Sequence, residues 1–276
     1  MDRARLNEVS SHASFYTGEF KNKVELSDLL QIAHDEDVKI LFDSYEGSFE
    51  GLSICHKGVF YIHVDTDSVI EPSKDRGKFT IAHELGHCLI EEHRIGLLSE
   101  TLEPHISDYI LGDNGSQTKS PMELEADQFA SSLLMPKKLF NKVTKEFKDG
   151  FSFDTLLFLS GFFETSLLAT ILRFADVGSM PVFFTFNRNG NVKWYKEGSR
   201  FPDRAFKFNV HKNVPKNTLI YEVFHKGLPH IGEKRIVDRD DWFFVNDDDY
   251  GEYDLYEQCY HLVSYDLIVS MLWFEK

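Results

Sequence analysis

The stretch that most constrains the fold is FTIAHELGHCLI, which contains the pattern His-Glu-x-x-His. On an α-helix, His83 and His87 lie one turn apart on one face, so that both imidazoles can bind one metal ion. A helical wheel places Glu84 about 100° from His83 and groups the apolar side chains at about 140–260°. These apolar residues are Ile81, Ala82, Leu85, Cys88 and Leu89. The motif therefore predicts a metal-binding helix with one face in a core and the other facing a cleft.

A catalytic zinc site needs a third protein ligand and an open position for water. His93 stands where the pattern HExxHxxGxxH has its third histidine, but Ile90 occupies the position of the glycine in that pattern. Without the glycine, the helix is expected to continue through CLIEE and to turn His93 about 120° away from His87. His93 is therefore the weaker candidate for the third ligand.

The other candidates lie in the stretch SPMELEADQFASSLLMP. Ser120, Pro121 and Glu123 predict a capping box with proline at the first helical position, which gives Glu123 a local role. Glu125 instead shares a helix face with Phe129, and a carboxylate on an apolar face needs a partner. We therefore predict Glu125 as the third zinc ligand, with an ordinary salt bridge as the alternative.

A set of two histidines and one glutamate leaves the fourth zinc position to water. Glu84 is then placed to take a proton from that water as general base and to pass it to a leaving amine. The residues favour hydrolysis of an amide bond. A structural or inactive zinc site has no need of a base at position 84.

The paired motifs FTIAHELGHCLI and ELEADQFASSLLMP resemble those of the ImmA/IrrE family of zinc metallopeptidases, over roughly residues 25–178. The resemblance implies a minimal gluzincin-like fold with His83, His87 and Glu125 as Zn²⁺ ligands and Glu84 as catalytic base. Family members cut a DNA-bound transcriptional repressor, often encoded next door, in response to DNA damage or another stress. Longer members carry a C-terminal sensor domain, often GAF-like, and the ending YDLIVSMLWFEK is similar to theirs. Unlike some members, this chain is not expected to have an N-terminal helix-turn-helix.

The chain has 276 residues and 42% hydrophobic content, which suffices for two domains with buried cores. Helical periodicity dominates up to about residue 177, and PVFFTFNRNGNVKWYKEG then predicts two strands around an Asn-Gly turn. The fold class is therefore predicted as α+β. We predict a metallopeptidase domain over 1–178 and a β-rich, sensor-like domain over 179–276.

The stretch DTLLFLSGFFETSLLATILRF has the sequence appearance of a DNA-binding helix-turn-helix, but it offers few charges to contact phosphates. It is predicted to be a packed helical pair.

Three widely spaced cysteines fit reduced thiols, and no apolar run has the length of a signal peptide or membrane span. A cytoplasmic location without membrane association is expected.

Charge is unevenly distributed in a chain whose net charge is -15. Residues 180–237 hold eleven Lys/Arg against four Asp/Glu, and aromatic residues alternate with these cations. Such a pattern is typical of platforms for single-stranded nucleic acid, which indicates Trp194, Arg200, Arg204 and Lys207 as candidate contacts and single-stranded DNA as a candidate activator. The alternative is a half-buried sheet with lysines on its solvent face.

The sequence thus favours a zinc endopeptidase that cleaves a regulatory protein, with the repressor encoded by a neighbouring gene as the expected substrate. Two alternatives stay open. One is a protein that senses a ligand or single-stranded nucleic acid and whose metal site is structural or inactive. The other is a housekeeping peptidase without a regulatory role.

Overall fold

The computed structural model of the protein describes residues 3–18, 22–69, 71–72, 74–99, 105–106, 120–147, 150–202, 206–210, 212–226, 232–245 and 252–275. The first part of the chain forms α1 (Arg3–Thr17), α2 (Leu26–Asp35), β1 (Val38–Asp43), β2 (Gly51–His56), β3 (Val59–Asp65), α3 (Asp75–Leu89), α4 (Glu91–Leu98), β4 (His105–Ile106), α5 (Pro121–Leu134) and α6 (Lys137–Glu146). The rest forms α7 (Phe153–Phe163), α8 (Leu167–Val177), β5 (Val182–Arg188), β6 (Asn191–Glu197), β7 (Phe206–Phe208), α9 (Leu219–Lys226), β8 (Arg235–Val237), α10 (Arg239–Trp242), β9 (Phe243–Val245), β10 (Asp254–Leu262), a 3-10 turn (Val263–Tyr265) and β11 (Leu267–Glu275). Helices are followed by a β-rich C-terminal region, which confirms the α+β prediction.

The chain divides into two compact units, and each unit takes two segments of the sequence. The first unit comprises residues 1–142 and 160–169, and the second comprises residues 143–159 and 170–276. Each unit has its own hydrophobic core.

In the first unit, a sheet with strand order β1-β3-β2-β4 packs against α3. β1 runs parallel to β3, whereas β2 is antiparallel to both β3 and β4. The apolar face that the helical wheel predicts for α3 is buried, including Ile81, Leu85 and Cys88. This burial fixes the rotation of α3 about its axis, so that its polar residues face the opposite way.

One feature of the first unit differs from the sequence expectation, and a second was not predicted. The helix does not run on through CLIEE, because Ile90 adopts an extended conformation (φ -68°, ψ 124°) between α3 and α4. The polar start of the chain forms the helix α1, which packs on α5 through contacts such as Gln128 to Ser10 (2.7 Å). Neither feature follows from the apolar periodicity of the sequence.

In the second unit, β6-β5-β11-β10-β8 form an antiparallel sheet, and β7 pairs with β9. The predicted Asn-Gly turn joins β5 and β6, and both Asn189 (φ 52°) and Gly190 (φ 72°) have the positive φ that such hairpins require. The C-terminal strand β11 is buried along most of its length, as its apolar sequence predicts.

The stretch 153–177 forms the helices α7 and α8, in agreement with the predicted helical pair. The turn between them belongs to the first unit, and Glu164 in this turn binds Lys78 of α3 (2.8 Å) and Lys23. Within the described residues, no individual helix has the length and apolarity of a membrane span; the bent pair α7 and α8 meets those criteria only when the two are counted together.

Candidate metal centre

Helix α3 presents both motif histidines on one face. The Nε2 atoms of His83 and His87 lie 3.2 Å apart, and both side chains are buried. The spacing of four residues and the buried apolar stripe on the opposite face of α3 together hold the two rings in this position.

Glu123 of α5 completes the group. Its Oε1 lies 2.9 Å from Nε2 of His87, and its Oε2 lies 3.3 Å from Nε2 of His83. Within the part of the chain that the structure describes, these three residues form the cluster suited to hold a metal ion. The prediction of Glu125 as the third ligand is therefore corrected in favour of Glu123.

Glu123 faces the histidines because of the way α5 packs on α3. A Cβ atom on Gly86 would lie 3.2 Å from Cα of Ala126, so the motif glycine lets the two helices approach closely. This contact directs Glu123 and Asp127, which are one turn apart on α5, toward the histidines. The N-cap half of the predicted capping box is present, since the Ser120 hydroxyl accepts a hydrogen bond from the Glu123 amide (3.3 Å). That bond uses only the backbone of Glu123 and leaves its carboxylate directed at the histidines.

The three donors fit a zinc ion. Zinc bonds of about 2.0–2.2 Å in a tetrahedral arrangement separate neighbouring ligand atoms by roughly 3.3–3.6 Å. The distances among the Nε2 atoms and the two Glu123 oxygens are 2.9, 3.2 and 3.3 Å. Two imidazoles and a carboxylate are the donor set of a catalytic zinc site with one position left for water.

Asp127 contacts His83 on the side of the ring that faces away from His87 and Glu123. Its Oδ1 lies 3.1 Å from Nδ1 of His83, the ring nitrogen that points away from the cluster. Burial opposes protonation of His83, but the hydrogen bonds to Asp127 and Glu123 and the charge of Glu84 raise its pKa to about 10. The surplus of carboxylates thus favours a cation at this position, and a bound metal would replace the proton. The sequence analysis did not identify Asp127, although its i+4 spacing from Glu123 is visible in the sequence.

Glu84, the predicted catalytic base, is fully buried next to the histidines on α3. The hydroxyl of Ser53 on β2 lies 2.6 Å from Oε2 of Glu84. Ser53 carries no sequence signal, because a strand serine 31 positions upstream of the glutamate belongs to no motif.

His93 and Glu125 form a second polar group beside the centre. The break at Ile90 brings the His93 ring to 5.1 Å from that of His87, centroid to centroid, so the expected separation of these rings was wrong. Nε2 of His93 lies 3.3 Å from Oε2 of Glu125, which also binds Arg5 of α1 at 2.8 Å. Burial and the charge of His87 lower the pKa of His93 to about 4, so its ring is neutral at pH 7. The contact with Arg5 is the ordinary salt bridge that the sequence analysis gave as the alternative to metal binding by Glu125.

The candidate nucleic-acid contacts lie in the second unit. Trp194 on β6 is half-buried and stacks on Phe186 with ring centroids 3.5 Å apart, while Lys207 is exposed on β7 of another sheet. Arg200 is exposed in the turn after β6, and Arg204 lies outside the described residues. Nucleic-acid binding by these residues stays a prediction.

Three comparisons with known proteins were made, against curated proteins, solved structures and family models. A search of curated proteins gave no match. A solved structure of a Mycobacterium tuberculosis transcriptional regulator is similar in fold, with a TM-score of 0.58, 11% identity, and coverage of 98% of this chain and 90% of that chain. At this level of identity the similarity concerns the fold. Residues 71–173, which include both histidines, Glu84, Glu123 and Asp127, match the model of the M78 peptidase family. The model is that of an IrrE N-terminal-like domain, and the match confirms the resemblance of this part of the chain to the ImmA/IrrE family.

Proposed function

We propose that the protein is a zinc-dependent endopeptidase that cleaves a transcriptional repressor in response to a stress or DNA-damage signal, with the C-terminal region receiving that signal. One observation carries the enzymatic part of the proposal. His83, His87 and Glu123 converge at the spacing of zinc ligands, and Glu84 lies on the same helix next to them. A purely structural site would have a fourth protein ligand and no need of a base.

Each residue of the centre has a chemical task. A zinc ion held by the three side chains would activate a water molecule and polarise the scissile carbonyl. Glu84 accepts the proton of the attacking water and delivers it to the leaving amine. Asp127 accepts a hydrogen bond from Nδ1–H of His83, which leaves the Nε2 lone pair of His83 for a metal ion.

The regulatory part of the proposal is supported by the family resemblance and by charge. The chain carries a net charge of -15, which favours encounter with a basic partner such as a DNA-binding protein. Repression would end when the repressor is cut. The nature of the signal, including single-stranded DNA, is a separate part of the proposal with its own test.

The test uses the zinc-loaded full chain and the repressor encoded by the adjacent gene. In parallel, the protein is incubated with a proteome-derived peptide library, and fragments are identified by mass spectrometry. We expect defined cuts that vanish with a chelator and in Glu84→Gln, a variant that keeps size and metal ligands but lacks the base. Full zinc loading without any cut in repressor or library would refute the enzymatic proposal and favour a sensing protein with an inactive site.

A further inference from the structure

Strand β2 packs tightly against the side chain of Glu84. Gly51 and Ser53 are two positions apart and therefore point to the same face of the strand. A Cβ atom on Gly51 would lie 2.8 Å from Cγ of Glu84 and 2.9 Å from its Oε1. Only glycine leaves room for the Glu84 side chain here, so β2 limits where its Cγ and carboxylate can lie.

Ser53, on the same strand, forms a hydrogen bond with Glu84. Its Oγ lies 2.6 Å from Oε2 of Glu84, and both residues are fully buried. The hydroxyl is the donor of this bond, and the backbone carbonyl oxygen of Glu84 lies 3.1 Å from the same Oγ. The thiol of Cys88, 3.8 Å away, in turn donates to Ser53 Oγ, which further restricts the direction of the hydroxyl. A short hydrogen bond between two fully buried side chains restricts the rotation of the carboxylate plane.

We propose that Ser53 is a positioning residue for Glu84: it holds the carboxylate in the orientation that general-base catalysis at the metal centre requires. The inference rests on the proposed peptidase function. It adds a residue from β2, upstream of the segment 71–173 that matches the family model. Ser53 acts through Glu84.

The hydrogen bond from Ser53 to Glu84 would help the reaction by keeping the carboxylate aligned for proton transfer. Glu84 must take a proton from water on one side and deliver it to nitrogen on another, and both transfers need short, aligned hydrogen bonds. A side chain with three rotatable bonds loses this alignment when it has several rotamers. Losses of roughly 10- to 100-fold are typical when a supporting hydrogen bond of this kind is removed.

The test compares Ser53→Ala, Ser53→Thr and the matched control Ser132→Ala, which also removes a fully buried hydroxyl of the first unit but lies on α5. Each protein is loaded with Co²⁺, and the visible absorption of the ion reports on its surroundings. We expect Ser53→Ala to bind Co²⁺ as the parent does but to shift the spectrum in the direction of Glu84→Gln. Ser53→Thr, which keeps the hydroxyl, and Ser132→Ala should keep the parental spectrum.

Kinetics on a library peptide that the parent cleaves provide the second measurement. Ser53→Ala should lower kcat by about 10- to 100-fold with little change in KM, and Ser53→Thr should restore it. A parental spectrum and kcat in a folded Ser53→Ala would overturn the proposal, as would equal losses in Ser132→Ala. If Ser53→Ala does not fold, Ser53→Cys, a weaker donor of similar size, is measured in the same way and should fall between parent and Glu84→Gln.

The two readouts separate this proposal from the peptidase function on which it rests. If the parent cleaves no substrate, the function fails, whereas the Co²⁺ spectra still show whether Ser53 orients Glu84. If the parent is active and Ser53→Ala is equally active, only the positioning role is lost.

Discussion

The choice between Glu123 and Glu125 as zinc ligand can be decided by one pair of variants. Glu123 lies with its two oxygens 2.9 and 3.3 Å from the histidine Nε2 atoms, whereas Glu125 is engaged by Arg5 and His93. We therefore expect Glu123→Ala to lose zinc and Glu125→Ala to retain it.

The size of the effect follows from the ligand count. Zinc bound to four protein ligands is worth about 10–16 kcal/mol, or about 2.5–4 kcal/mol per ligand. Loss of Glu123 should thus weaken zinc binding roughly 60- to 700-fold, at about 1.4 kcal/mol per factor of ten. Glu125→Ala instead removes a charge-assisted hydrogen bond to Arg5, which costs about 1.5–3 kcal/mol of folding free energy.

The assay combines the zinc content of purified protein with competition against a chelating indicator. Thermal unfolding of the same samples measures the stability term separately. Glu123→Gln and Glu125→Gln serve as a second pair that preserves side-chain volume. Loss of zinc from Glu125→Ala, together with full retention in Glu123→Ala, would refute the assignment drawn from the packing of α5 on α3.

Three further outcomes are expected. Because Lys78 is fully buried, Glu164→Ala should leave its charge without the carboxylate partner and destabilise the protein by about 3 kcal/mol, whereas Lys78→Met should cost less in a denaturant titration. Burial raises the pKa of Glu257, despite hydrogen bonds from Ser270 and backbone amides, so its contribution to stability is full below the unfolded pKa and is lost as pH rises through the folded pKa; the decline with rising pH should be smaller in Glu257→Gln, and equal pH profiles would contradict this. If the second unit binds single-stranded DNA, anisotropy of a labelled oligonucleotide should show salt-dependent binding that Trp194→Ala weakens, and the absence of binding at low salt would dismiss that role.

The sequence by itself determined the features that depend on neighbours along the chain. The four-residue spacing of His83 and His87 and the apolar stripe opposite them follow from the helical repeat alone. The start of α5 follows from Ser120 and Pro121, whose capping role needs only the next few residues. The hairpin between β5 and β6 follows from the positive φ that an Asn-Gly pair adopts readily.

Only the tertiary structure decided which carboxylates serve the centre. Glu123 and Glu125 lie in the same short stretch, and local rules assigned a capping role to the first and a ligand role to the second. The close approach of α3 and α5 at Gly86 reversed this, because it sets which face of α5 meets the histidines.

The remaining partners of the centre come from segments far apart in the chain. Asp127 is 44 residues from His83, Ser53 is 31 residues from Glu84, and Arg5 is 120 residues from Glu125. Periodicity and capping act over one or two turns of helix and carry no information about such pairs. They become neighbours because burial of apolar faces brings β2, α1, α3 and α5 together, and each buried polar group must then find its partner across those interfaces.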